Sequence, residues 1–233
     1  QKLVKDQLND IEYNNILLFS LFGIIQYLEV ITDKAELQFW INRLTKNTES
    51  VGLFGDIFEL YIQWTLIEKK INFKKSERPD FALSYESSEV FIECTSAQFD
   101  FKKTPNEKEV FKKLKNTIKK KFQEEYVNLS TALFIDVTNL RFHLPNLDKH
   151  MLRKVLETID LENKKTTTTM NFSGSITFLI FEFVENESKH HFSCNILGNF
   201  IRPDVDSNLK IFLEQSFIQG FDKTNTINPK FHH

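Results

Sequence analysis

Apolar residues recur at helical spacing through the first part of the chain. Leu17, Leu21, Ile24, Ile25 and Leu28 share one helical face, and Leu37, Trp40, Ile41 and Leu44 share another. Asp33 is placed to cap the second helix, and Glu36 three residues on completes a capping box. Residues 1 to about 48 therefore read as helical. The polar run Thr45-Lys46-Asn47-Thr48-Glu49-Ser50 is a connector. A third helix is expected from about Leu53 to Lys70, carrying Ile57, Leu60, Tyr61, Trp64 and Ile67.

Strand signals then take over. Ile71 to Lys74 reads as a strand, and Arg78 to Thr95 as a hairpin with a polar turn over Ser84 to Glu89. A basic helix is expected over Asn106 to Tyr126, with Phe111, Leu114, Ile118 and Phe122 on one face. Thr131 to Val137 is a strand, and Leu147 to Leu161 a helix. Lys164 to Thr169 reads as an exposed loop and Ser175 to Phe183 as a buried strand, with His191 to Leu197 as its partner. Asn208 to Ile218 reads as a last short helix, and the tail after Gly220 is polar. The alternation predicts an α/β fold, a central mixed sheet flanked by helices. It divides into an N-terminal helical region over residues 1–50 and an α/β domain over 51–233.

Composition narrows the class. With 41% hydrophobic residues the chain can bury a full core, and a net charge of −2 gives no global sign of a polyanionic partner. The longest apolar stretch, Ile16 to Ile25, falls short of the roughly 20 residues that a membrane span needs. Cys94 and Cys194 form no spaced pair for zinc, and a cytoplasmic protein is the expectation. There is no Gly-x-Ser-x-Gly elbow and no phosphate-binding glycine loop. His190 and His191 are adjacent rather than helically spaced, a poor zinc signal.

The hairpin carries the chemistry. With the turn centred on Glu86-Ser87, Tyr85 faces Ser88, and five rungs on Asp80 faces Glu93. Opposed residues lie about 4.5–5.5 Å apart at Cα and share a face. Two carboxylates so close repel each other unless a cation lies between them, so the pairing points to a metal site. Period-two alternation puts Phe91, Glu93 and Thr95 on one face and Cys94 on the other. Glu59 is a third acid, one helical turn after Gly55 and on the same face; a glycine there is expected to let the helix approach the sheet closely. Asp56 reads as a first-turn, dipole-matched residue and Glu68 as solvated.

Gly55-x-x-x-Glu59 on a helix, then Pro79-Asp80, then Glu93-x-Thr95 on the next strand resembles the PD-(D/E)xK nuclease superfamily, the restriction-endonuclease-like fold. The resemblance covers about residues 53 to 137. It implies a mixed sheet flanked by helices, with Asp80, Glu93 and Glu59 binding Mg²⁺ or Mn²⁺. The implied reaction is hydrolysis of nucleic-acid phosphodiesters, DNA before RNA, in a restriction or defence setting. A homodimer or a larger complex is the implied assembly.

One departure matters. The family pattern has Lys where this chain has Thr95. Either the chain is an inactive relative that binds nucleic acid or a protein, or the ammonium comes from elsewhere. Some members resemble this chain in carrying the lysine on the following helix. There Lys121, three residues past Ile118, is the first candidate and Lys115 the second. Gln98 resembles a glutamine that many members carry in this region, and the implied roles are binding a phosphate or orienting water. The lysines of that helix, Lys112, Lys113, Lys115, Lys119, Lys120 and Lys121, also form a basic face that suits a phosphate backbone.

Overall fold

The computed structural model describes residues 24, 25, 27–46, 50–85, 88–100, 103–165, 170–186 and 189–217. The helix expected through Leu17 and Leu21, the Glu86-Ser87 turn, Thr166 to Thr169 and the tail after Gly220 lie outside the described residues.

Helix α1 spans Lys34–Lys46 and α2 spans Ser50–Glu68. Asp33 caps α1 as its sequence suggests, accepting the Glu36 amide at 2.8 Å. Three strands follow, β1 (Phe73–Lys75), β2 (Phe81–Tyr85) and β3 (Ser88–Ser96). Helix α3 (Glu107–Phe122) leads to β4 (Thr131–Asp136), then α4 (Thr138–His143) and α5 (Lys149–Lys165). Strands β5 (Ser175–Asn186) and β6 (Lys189–Ile201) form a long hairpin. Helix α6 (Ser207–Phe212) then runs into a π-helical turn, Leu213–Phe217.

The six strands form one mixed sheet in sequence order, β1 to β6. The pairs β1/β2, β2/β3 and β5/β6 are antiparallel, while β3/β4 and β4/β5 are parallel. Alternation feeds two cores. Leu133, Ile135, Ile176, Phe178 and Ile180 face α3 and α5, meeting Val110, Leu114, Ile118, Leu152, Val155 and Ile159. Phe81, Leu83, Val90, Ile92, Phe134 and Leu179 face α2 and α6, meeting Phe58, Ile62, Leu66, Leu209 and Phe212. The molecule is therefore a sheet covered by helices on both faces. Helix α1 forms a further layer outside α2, where Trp40 and Leu60 are wholly buried together with Tyr27 and Ile31.

Helix α3 buries Val110, Leu114, Ile118 and Phe122, a strict four-residue repeat, so the expected Phe111 is displaced to a half-buried flank. Its start is fixed by a complete capping box between Asn106 and Glu109. Asp56 is the seventh residue of α2, not a first-turn residue, and is buried against Arg43. No helix among the described residues is long and apolar enough to cross a membrane.

Candidate functional site

The β2/β3 ladder runs Tyr85 opposite Ser88, Leu83 opposite Val90 and Phe81 opposite Ile92. The next rung is Asp80 and Glu93, the register that the hairpin pattern predicts. The two residues touch. The Asp80 amide donates to Glu93 Oε2 at 3.4 Å, and the Cys94 amide donates to Asp80 Oδ2 at 2.7 Å. Because β2 is antiparallel to β3, this rung lies beside the later half of β3.

Glu93 pairs with Leu133 across the parallel ladder, and Leu133 belongs to the core under α3. The carboxylate is 2% exposed and its Oε1 takes two donors from beyond the sheet. The Lys121 ammonium, in the last turn of α3, forms an ion pair with it, and the Tyr126 hydroxyl donates at 2.9 Å. Burial, and after it the Glu93 carboxylate, push the Tyr126 phenol well above its ordinary range. Lys115 turns away to Glu162 on α5 at 2.7 Å, where Lys119 joins it at 3.2 Å. Of the two lysines that the sequence offers for the Thr95 position, Lys121 is thus the one that reaches the acids. Thr95 itself is half-buried.

Glu59 comes from α2, on the other face. Arg43 of α1 holds it bidentately, Nη1 to Oε1 at 3.0 Å and Nη2 to Oε2 at 2.6 Å. The Lys75 ammonium, at the end of β1, pairs with Oε1 as well. Arg43 also donates to Asp56 at 2.6 Å. Lys75 and Arg43 hold the Glu59 carboxyl below its usual range despite the burial that opposes them. Gly55 does not serve the close approach that its spacing suggests, because a Cβ added there meets no described atom within 4 Å.

Asp80 lies between these two ion pairs. Its carboxyl is pushed up to about 7, by burial first and then by the charges of Glu59 and Glu93. The Cys94 amide and Lys75 act in the opposite sense. Burial also raises the Cys94 thiol well above its ordinary value, with Asp80, Glu59 and Glu93 adding to it. A nucleophilic thiolate there is disfavoured.

Gln98 is not part of this group. Its amide donates to Ser96 Oγ at 2.6 Å, and Ser96 in turn donates to Asp136 Oδ2 at 2.9 Å. The strand alternation that orders Glu93 and Thr95 stops at Ser96, so the sequence carries no period to place Gln98. Three residues of the centre escape the sequence reading. Lys75 is separated from the hairpin by a turn, although its partner Phe81 adjoins Asp80. Arg43 arrives through the packing of α1 on α2, which no local pattern encodes. Tyr126 lies five residues beyond Lys121 in the turn after Phe122, where α3 ends short of the expected Tyr126.

The donors suit the divalent ion that the resemblance implies. Asp80 and Glu93 bring two carboxylates to one rung, the hard donors that Mg²⁺ and Mn²⁺ prefer, and a cation there would offset the repulsion that adds to burial in raising Asp80. Among the described residues no group of three or more His, Cys, Asp or Glu is placed to hold a metal ion. Two carboxylates with waters are nevertheless a common Mg²⁺ set. Comparisons with protein-family models, curated proteins and solved structures find no match for this chain.

Proposed function

We propose that the chain is a divalent-metal-dependent endonuclease that hydrolyses nucleic-acid phosphodiesters, DNA before RNA, on a restriction-endonuclease-like α/β scaffold. The observation that carries this reading is the Lys121–Glu93 ion pair beside Asp80. It returns an ammonium to the acids although Thr95 stands where the family pattern has lysine. A mixed sheet flanked by helices also accords with the resemblance.

Asp80 and Glu93 would hold the ion, which when bound acidifies a water and polarises the phosphate. Lys121 supplies a point charge to the attacked phosphate, where negative charge builds as the water oxygen bonds to phosphorus and the ester oxygen leaves. Tyr126 keeps Glu93 oriented while Lys121 moves between carboxylate and phosphate. Asp80 must be ionised to bind the ion, so at subsaturating metal activity rises with pH toward about 7, and saturating metal moves that rise to lower pH. The exposed residues Lys108, Lys112 and Lys120 of α3 give a backbone-tracking stripe.

Plasmid cleavage with Mg²⁺ or Mn²⁺ tests the reading. The parent is expected to nick or linearise the plasmid, and Asp80→Asn and Glu93→Gln are expected to be inert. Robust cleavage by either variant sinks the assignment. A second reading, a nuclease-fold module that binds nucleic acid or protein without cutting, is favoured by Thr95 and by the Arg43–Lys75 clamp on Glu59. Calorimetric titration separates the two readings: the non-cutting module takes up DNA at low salt but no Mn²⁺.

A further inference from the structure

We propose that Lys75 is the second functional ammonium of this centre, placed to take a phosphate oxygen of a nucleic-acid strand, and that Glu59 positions it rather than binding metal. The substrate class rests on the nuclease reading above; the geometry does not.

Both oxygens of Glu59 are already committed to cations. Arg43 spans Oε1 and Oε2 at 3.0 and 2.6 Å, and Lys75 shares Oε1. A divalent ion would have to displace one or both of them. Lys75 is held just as closely. Its Nζ lies 4.8 Å from the Phe81 ring centroid and 5.6 Å from that of Trp40. The side chain is 16% exposed. An ammonium so far withdrawn from water is costly unless its charge is compensated or used.

Lys75 also stands at the right place. It pairs with Phe81, and the neighbouring Ser76 amide donates to the Asp80 carbonyl at 3.1 Å, so Lys75 is one rung from Asp80. Lys121 reaches the same acids from the α3 face. Two ammoniums therefore flank the Asp80–Glu93 rung from opposite sides of the sheet. Lying on opposite sides, they do not share one phosphate; Lys75 suits a phosphate oxygen of the same strand other than the one that Lys121 meets. Gly55 lies one turn from Glu59 on the same face, where an added Cβ meets no described atom within 4 Å, and under the proposal this is the side from which a strand approaches Lys75.

The test uses the full chain with Lys75→Met, Glu59→Gln, the double variant and Gly55→Trp. Mn²⁺ affinity is read by calorimetry and cleavage under single-turnover conditions. The expected Mn²⁺ Kd stays within about threefold of the parent in all four. Cleavage is expected to fall roughly a hundredfold in each single variant, the loss typical of one charge-stabilising donor. The double variant is expected to be no worse than Lys75→Met, because the two residues act as one unit. A tenfold weaker Mn²⁺ site in Glu59→Gln makes Glu59 a ligand and overturns the proposal. So do losses that multiply in the double variant, or unimpaired cleavage by Lys75→Met. If Lys75→Met does not fold, Gly55→Trp decides, and its unimpaired cleavage is equally fatal. A parent that cuts nothing sinks the nuclease reading instead. Binding of a short fluorescent duplex at low salt then decides Lys75 alone: weaker binding by Lys75→Met supports it, and unchanged binding overturns it.

Discussion

Asp80 and Asp136 are both buried acids on one sheet, 9% and 4% exposed, and they keep opposite company. Asp136 closes the end of β4. Its Oδ1 accepts the Thr138 amide at 2.9 Å and the Thr138 hydroxyl at 2.6 Å, and its Oδ2 accepts the Ser96 hydroxyl at 2.9 Å. Asp80 accepts the Cys94 amide and is otherwise set against Glu59 and Glu93. Burial pushes both carboxyls up. At Asp136 the protein's own donors oppose the shift, whereas at Asp80 neighbouring carboxylates deepen it. Burial alone therefore does not mark a functional acid. Under the proposed reading, Asp80 differs in that its neighbouring carboxylates would be relieved by a cation.

The sharpest way to break this comparison is to neutralise each acid in turn. Asp80→Asn is expected to lower cleavage by roughly a thousandfold, about 4 kcal/mol of barrier, while leaving the melting temperature equal or higher, since it removes a repulsion. Asp136→Ala is expected to do the reverse. Loss of the acceptor leaves the Thr138 and Ser96 donors unmatched, which costs about 2–4 kcal/mol of stability, measured by urea unfolding. If Asp136→Ala proves silent in stability, the contrast between the two acids fails.

The next contrast is in pH. The folded Asp80 carboxyl titrates near 7, above its ordinary value of 3.8. Between those values the folded state binds a proton that the unfolded state has released. Stability therefore falls as pH rises through that window, with a contribution approaching about 1.4 kcal/mol per pH unit. Asp136 contributes with the same sign. Asp80→Asn should flatten the profile by the Asp80 share alone, and saturating Mn²⁺ should flatten it in the parent. An unaltered slope in Asp80→Asn would show that neither burial nor Glu59 and Glu93 raise Asp80 in the folded state.

How much of this centre was legible follows from where periodicity reaches. The hairpin ladder fixes Asp80 against Glu93 because one turn sets every later rung. The four-residue apolar repeat of α3 fixes which lysine can turn inward, and Lys121 does. Helix α4 was not legible, being six residues long with no side-chain cap. Arg43 and Lys75 were not legible either, because they meet Glu59 through packing between elements. Gln98 lies beyond the strand end and inherits no face from it, so its contact with Ser96 in the Asp136 cluster is not legible in the sequence.

Gly55 offers the smallest and most exacting test. Its sequence spacing suggests close packing of α2 on the sheet, and the structure puts no described atom within 4 Å of a Cβ there. The two ideas differ in sign. A glycine needed for close approach loses stability on gaining a methyl group. A glycine in an open helical position gains it, by about 0.5–1 kcal/mol, because alanine loses less backbone entropy in a helix. Gly55→Ala is therefore expected to raise the urea midpoint modestly without touching Mn²⁺ affinity, since the added carbon meets no described atom within 4 Å. The same change that stabilises the helix narrows the approach to the Glu59–Lys75 pair. A small loss of cleavage accompanying the gain in stability would mean that Gly55 is kept for access and that stability is given up for it.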